Sequence, residues 1–198
     1  MNYLVHLYLA GDQPGHLLGA LMGDFVKGPI PEYYQGTLRE GLILHRKLDA
    51  FCIDQPDCRR SRRRIDPTYG HLRAVMVDIF YDHLLARNWL QHHPLPLTKY
   101  AAHIYRLLET NDERLPASMR PVVERMITMD WLSSYTELAT VETVLQRMSK
   151  RLSRPNRLGE SLTELTDNYL ALANDYRKFL FAARKHIHIP RTLSGDFS

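Results

Sequence analysis

The stretch Gly41 to Asp57, GLILHRKLDAFCIDQPD, restricts the fold of this chain more than any other. Helical spacing puts His45 and Asp49 on one face with Leu38, Leu42 and Cys52, while Arg39, Arg46 and Lys47 turn the other way. Two ionisable side chains therefore lie on the side that a fold buries. A buried carboxylate is costly unless it is ion-paired, hydrogen-bonded or bound to a metal, so this face needs partners from elsewhere in the chain. Three other segments repeat the pattern. In HLLGALMGDF, Leu17, Leu21 and Asp24 share a face; in VMVDIFYDHLL, Val75, Asp78, Asp82 and Leu85 share one; His6 stands inside the apolar opening NYLVHLYLA.

Helix-type periodicity runs through almost the whole chain, and alternation of β-branched residues is hard to find, so the expected fold is all-α. The 198 residues suit a single compact helical domain over residues 1–189, followed by a loose polar tail at 190–198. Seven or eight helices are expected. The longest are Tyr33 to Gln55, with Gly36 and Gly41 as weak points, a central helix from His71 to His93, and a last one from Glu160 to His186. Asp12 is a candidate N-cap for a helix opening at Pro14, and Pro56 opens a short basic helix ending near Ile65.

Composition narrows the partners. Hydrophobic residues at 44% and charged residues at 24% are ordinary for a globular protein, and a net charge of +4 favours an acidic partner. No apolar run approaches the ~18 residues that span a bilayer, and the N-terminus lacks a secretory pattern, so a cytoplasmic protein with no membrane partner is expected. Cys52 and Cys58, the only cysteines, match neither a CxxC motif nor a disulfide framework and read as reduced, structural thiols.

Metal sites in helical bundles are built from inward-facing His and carboxylate side chains at i, i+3 or i+4 spacing. The candidates here are His6, Asp24, His45, Asp49, Asp78, Asp82 and His83. Imidazole and carboxylate without thiolate favour Mn2+ or Mg2+, with Fe2+ or Zn2+ as other divalent choices. An ion of this kind polarises a phosphoryl oxygen and lowers the pKa of bound water, which makes phosphoester hydrolysis the natural chemistry. The run CRRSRRR brings Arg59, Arg60, Arg62, Arg63 and Arg64 close by, as a grip on phosphate or on an acidic protein, with a solvated basic face as the plain alternative. His92-His93 and His186-x-His188 stand at helix ends beside prolines and are expected to be exposed. Recognition motifs for nucleic acid, a G-x-S-x-G elbow and a glycine-rich phosphate loop are all missing.

Taken together, MNYLVHLYLA, GALMGDFVKG, GLILHRKLDAFCIDQP and VDIFYDHLLARNW resemble the acyl carrier protein phosphodiesterase family in order and spacing. The resemblance implies a compact helical bundle distantly related to the HD-type phosphohydrolases, dependent on Mn2+ or a similar divalent ion. It also implies the reaction: hydrolysis of the phosphodiester joining 4′-phosphopantetheine to a serine of acyl carrier protein. Carried over by motif, Asp24, His45, Asp49, Asp78, Asp82 and His83 form or adjoin the metal centre, and His6 joins from the first helix. Ala20 and Ile53 depart from the family pattern, which often has Asn and Thr there, so hydrogen bonds around the ligands differ. In the mechanism expected from this, Arg46 offsets charge on the phosphoryl oxygens, and His83 or His45 protonates the departing serine oxygen. The basic surface then steers an acidic carrier protein. Two other readings stand beside this one: an HD-type hydrolase of nucleotides or another small phosphoester, and a non-enzymatic helical adaptor that binds an acidic partner.

Overall fold

The computed structural model describes residues 3–187; the expected tail at 190–198 lies outside the described residues. Among the described residues the chain is all-α, with eleven α-helices and no strand. In order they are α1 (Tyr3–Leu9), α2 (Pro14–Met22), α3 (Gly36–Asp54), α4 (Pro56–Arg64), α5 (Leu72–Arg87), α6 (Leu97–Thr110), α7 (Arg120–Thr128), α8 (Trp131–Ser134), α9 (Leu138–Arg151), α10 (Leu162–Asp167) and α11 (Tyr169–His186). Among these, no helix is long and apolar enough to cross a membrane. The count exceeds expectation because irregular residues divide segments that the apolar pattern joins. Asn168 leaves helical geometry between α10 and α11, and Asp130, in the left-handed region at φ 43°, separates α7 from α8; Asn88 ends α5 short of the expected His93. The residue preceding α2 is Gln13, whose side chain makes no capping bond, so Asp12 is not the cap.

The bundle is organised around α5, whose residues from Met76 through Ala86 are buried except for the half-buried Asp78. A helix buried on every side belongs at the centre, and α5 packs against α1, α4, α9 and α11. α1 is buried along its whole length yet spans only seven residues. Such a helix is too short to persist alone, and its first N–H groups have no partner inside it. Asp82 of α5 supplies one: Oδ2 accepts from Leu4 N at 3.1 Å and Oδ1 from Val5 N at 2.9 Å. Burial is the dominant influence on this carboxyl, pushing its pKa up to about 7 against the opposing pull of the two N–H bonds.

α2 and α3 make the tightest pairing, and their glycines allow it. A Cβ on Gly19 would run into the Leu38 carbonyl oxygen, and one on Gly41 would sit 2.9 Å from the Cα of His16. Gly41 is therefore a crossing point rather than the weak point that its helix propensity suggests. On the far side, α4 is tied to α11 through Asp175, which is wholly buried. Arg60 Nε and Arg64 Nε each donate to one of its oxygens at 2.7 Å, and Ser61 Oγ donates at 3.3 Å.

Burial alone would raise the Asp175 pKa, yet the hydrogen bonds and charges of Arg64 and Arg60 outweigh it and hold the pKa below the usual carboxylate range. A group held low in the folded state stabilises fully above its unfolded pKa of about 3.9, and that stabilisation is lost as pH falls through the folded value. Asp175→Ala is expected to lower unfolding stability at pH 7 by about 3 kcal/mol, because two arginines lose their buried partner. The gap between variant and parent, followed by urea denaturation, is expected to narrow below about pH 4.

Candidate metal centre

The α2–α3 crossing aims His45 into the interior. Gly23, one residue past α2, lies so close to its ring that a Cβ there would overlap the imidazole. With the ring seated, His45 Nδ1–H donates to the Ala20 carbonyl at 2.7 Å. This fixes the tautomer and leaves Nε2 with its lone pair facing inward. His6 of α1 stacks on His45 with ring centroids 4.0 Å apart. Asp49, one turn beyond His45 on α3, spans the pair: Oδ1 lies 3.2 Å from His6 Nε2 and Oδ2 lies 3.2 Å from His45 Nε2. One ligand atom from each of these three residues lies within 4.8 Å of the others.

Asp24 approaches from the turn after α2, its Oδ1 3.8 Å from His45 Nε2 and its Oδ2 buried with no hydrogen-bond partner. Arg46 pins that turn by donating from Nη2 to the Val26 and Gly28 carbonyls at 2.8 and 2.7 Å. A cavity of about 220 Å³ opens beside these groups, lined also by Asp78, Cys52 and Arg62. Asp49 stands at its mouth, 57% exposed, while both imidazoles are buried. Two imidazoles and carboxylate oxygens, one of them orphaned, form a donor set that fits a divalent ion such as Mn2+.

The electrostatics follow from the same contacts. Burial lowers the His6 pKa, and Asp49 offsets this only in part. At His45 burial acts in the same direction, but the hydrogen bond and charge of Asp49, joined by Asp24, win and raise the pKa above its ordinary value. Asp49 shows the converse: desolvation pushes its pKa up, while the bonds to His45 and His6 prevail and hold it well below the carboxylate range.

Of the residues singled out in the sequence, His6, Asp24, His45, Asp49 and Asp78 therefore meet around one cavity. Asp82 does not join them, because both of its oxygens are committed to the first turn of α1. His83 is also set apart: Nδ1–H donates to the Tyr135 carbonyl at 2.8 Å, and Nε2 meets the Tyr169 hydroxyl at 3.1 Å. Arg46 holds backbone outside the cavity rather than facing it. Within the arginine run, Arg60 and Arg64 are engaged by Asp175, Arg62 enters the cavity, and Arg59 and Arg63 are exposed on α4.

His186 is exposed as expected and stacks on Phe51, but His93 is buried, with Nδ1 accepting from Leu95 N, and His92 is half-buried; His188 lies outside the described residues. Sequence reasoning missed the supporting parts, the Ala20 carbonyl and the space at Gly23, and it named Arg62 as a phosphate grip without separating it from the rest of the arginine run. Gly15, Gly19 and Gly23 recur every fourth residue, a stripe of small side chains that marks close helix contact.

A family model described as acyl carrier protein phosphodiesterase matches residues 1–183. Among relatives carrying that name, one from Pectobacterium atrosepticum is 31% identical over 170 residues, covering 85% of this chain and 88% of its own. Relatives from Enterobacter sp. and Salmonella dublin are 27% and 28% identical over 180 residues, covering 90% of this chain and 93% of theirs. No solved structure matches.

With Asp49 as the largest of the influences that raise the His45 pKa, Asp49→Asn is expected to lower it in the metal-free protein, leaving only Asp24 and the Ala20 carbonyl to oppose burial. An NMR titration of the imidazole resonances in parent and variant checks this.

Proposed function

Because the chain belongs to the acyl carrier protein phosphodiesterase family, a family of phosphodiester hydrolases, we propose that it cleaves the bond joining 4′-phosphopantetheine to a serine of acyl carrier protein, leaving the apo-carrier and free 4′-phosphopantetheine. The observation that carries this reading is the convergence of His6, His45 and Asp49 within 4.8 Å, beside the orphaned oxygen of Asp24. These four residues would hold a divalent ion, Mn2+ or Mg2+ in the first instance, and the ion would supply Lewis-acid polarisation of the phosphoryl group and a lowered pKa for water.

The remaining work falls to side chains that share the cavity. Arg62 reaches it with its guanidinium anchored by donation from Nη2 to the Cys52 and Ile53 carbonyls at 3.2 and 2.6 Å. It takes over the part first assigned to Arg46, offsetting charge that builds on the phosphoryl oxygens. Asp78, on the α5 wall, accepts the proton of the attacking water and returns it to the departing serine oxygen, the part first assigned to His83 or His45. Holding the reacting groups in one pocket replaces a bimolecular encounter with a positioned one. Outside the cavity, Arg59 and Arg63 lie exposed one helical turn apart on α4. They face the approach of an acidic carrier protein, and the net charge of +4 adds long-range attraction.

Incubation with Mn2+ and holo-acyl carrier protein is expected to release the prosthetic group, seen by mass spectrometry of the carrier. Asp24→Asn and Asp78→Asn are each expected to reduce the rate by about a hundredfold or more, by the usual scale of general-base and charge-stabilising groups, with the circular dichroism spectrum unchanged. An intact carrier alongside hydrolysis of a nucleotide by the same sample would replace this reading with a small-molecule phosphohydrolase.

A further inference from the structure

Cys52 and Cys58, the two cysteines of the chain, are free thiols that meet where α3 gives way to α4. Cys52 lies in the last turn of α3, three residues past Asp49, and lines the cavity that holds His6 and His45. Cys58 lies in the first turn of α4 and is wholly buried. Their Sγ atoms are 2.7 Å apart. The corner between them is braced from both sides. Gln55 Oε1 accepts from the backbone N–H of Asp57 and of Cys58, at 2.6 and 3.0 Å, and Arg62 holds the carbonyls of Cys52 and Ile53.

We propose that this pair is a peroxide-reactive dithiol, in which Cys52 is oxidised by a small hydroperoxide entering the cavity and Cys58 resolves the product as an intramolecular disulfide. The order follows from access. Cys52 is the sulfur that a molecule in the cavity can reach, whereas Cys58 has no exposed surface. The neighbouring Cys52 sulfur and burial both push the Cys58 thiol pKa up, in keeping with a buried sulfur that reacts second.

The chemistry balances in two steps. The Cys52 sulfur attacks one peroxide oxygen, the O–O bond breaks, and the leaving hydroxide takes the thiol proton to become water, leaving a sulfenic acid. Cys58 sulfur then attacks the Cys52 sulfur, the S–O bond breaks, and the departing hydroxide leaves as water with the Cys58 proton. Two thiols lose two electrons, and hydrogen peroxide is reduced to two waters. With the second sulfur already beside the first, closing the bond requires side-chain rotation rather than displacement of α3 from α4. Without that neighbour a sulfenic acid persists and goes on to sulfinic acid, which ordinary thiols do not reduce.

The full chain, reduced with dithiothreitol and desalted, is treated with hydrogen peroxide, alkylated and digested with trypsin. Both cysteines fall in one peptide, LDAFCIDQPDCR, covering residues 48–59. The expected product is that peptide lighter by two hydrogens, unalkylated, and restored by dithiothreitol. Cys58→Ser is expected to gain one and then two oxygens at Cys52, while Cys52→Ser keeps an alkylatable Cys58 at the same dose and reacts at least tenfold more slowly than the parent. Two thiols that remain alkylatable in the parent, a disulfide-linked dimer as the main product, or equal reactivity in Cys52→Ser would each overturn the proposal.

Discussion

The close crossing of α2 and α3 is the constraint on which the candidate site depends. Gly19 and Gly41 remove the side chains that would hold the helices apart, and only at that separation does His45 fit against Gly23 and reach the Ala20 carbonyl. The imidazole is then fixed in one tautomer, with its free nitrogen turned inward. The hydrogen bond comes from the backbone at position 20, so the alanine at this position costs the site nothing there. Arg46 acts on the same unit from outside, holding the turn that delivers Asp24.

Buried ionisable groups in this bundle fall into two kinds, separated by whether their partners use them up. Asp82 satisfies the start of α1, Asp175 satisfies Arg60 and Arg64, and His83 joins the Tyr135 carbonyl to the Tyr169 hydroxyl. Each works as a strut. His6, His45, Asp49 and Asp24 instead face one another across a cavity and retain donor capacity, including a buried Asp24 oxygen with no partner. Capacity of that sort is expensive in an interior unless something else completes it. The struts nonetheless serve the site: by fixing the N-terminus of α1, Asp82 sets where His6 can stand.

The basic helix α4 divides its arginines in the same way. Arg60 and Arg64, four residues apart, face the buried Asp175 and secure α4 to α11. Arg59 and Arg63, the matching pair one residue earlier, remain in solvent. Arg62 alone turns toward the cavity, where its guanidinium closes the end of α3. A charge run that looks uniform in the sequence thus separates by helical angle into a strut, a solvent face and a cavity contact.

The sequence by itself determined the all-α class, because apolar residues recur at helical spacing throughout, and it determined which histidines and acids share a face with the core. It also carried the family motifs and, in the glycine stripe of α2, a sign of close packing. The tertiary structure alone decided which of those inward-facing groups meet. Asp78 and Asp82 show why: they share a face of α5, separated by about 6 Å along the axis, so periodicity treats them alike. One reaches the level of the cavity and the other the end of α1. Height along a helix axis matters only once other helices are packed against it, and the crossing geometry that sets those heights is a property of the assembled bundle rather than of any one segment.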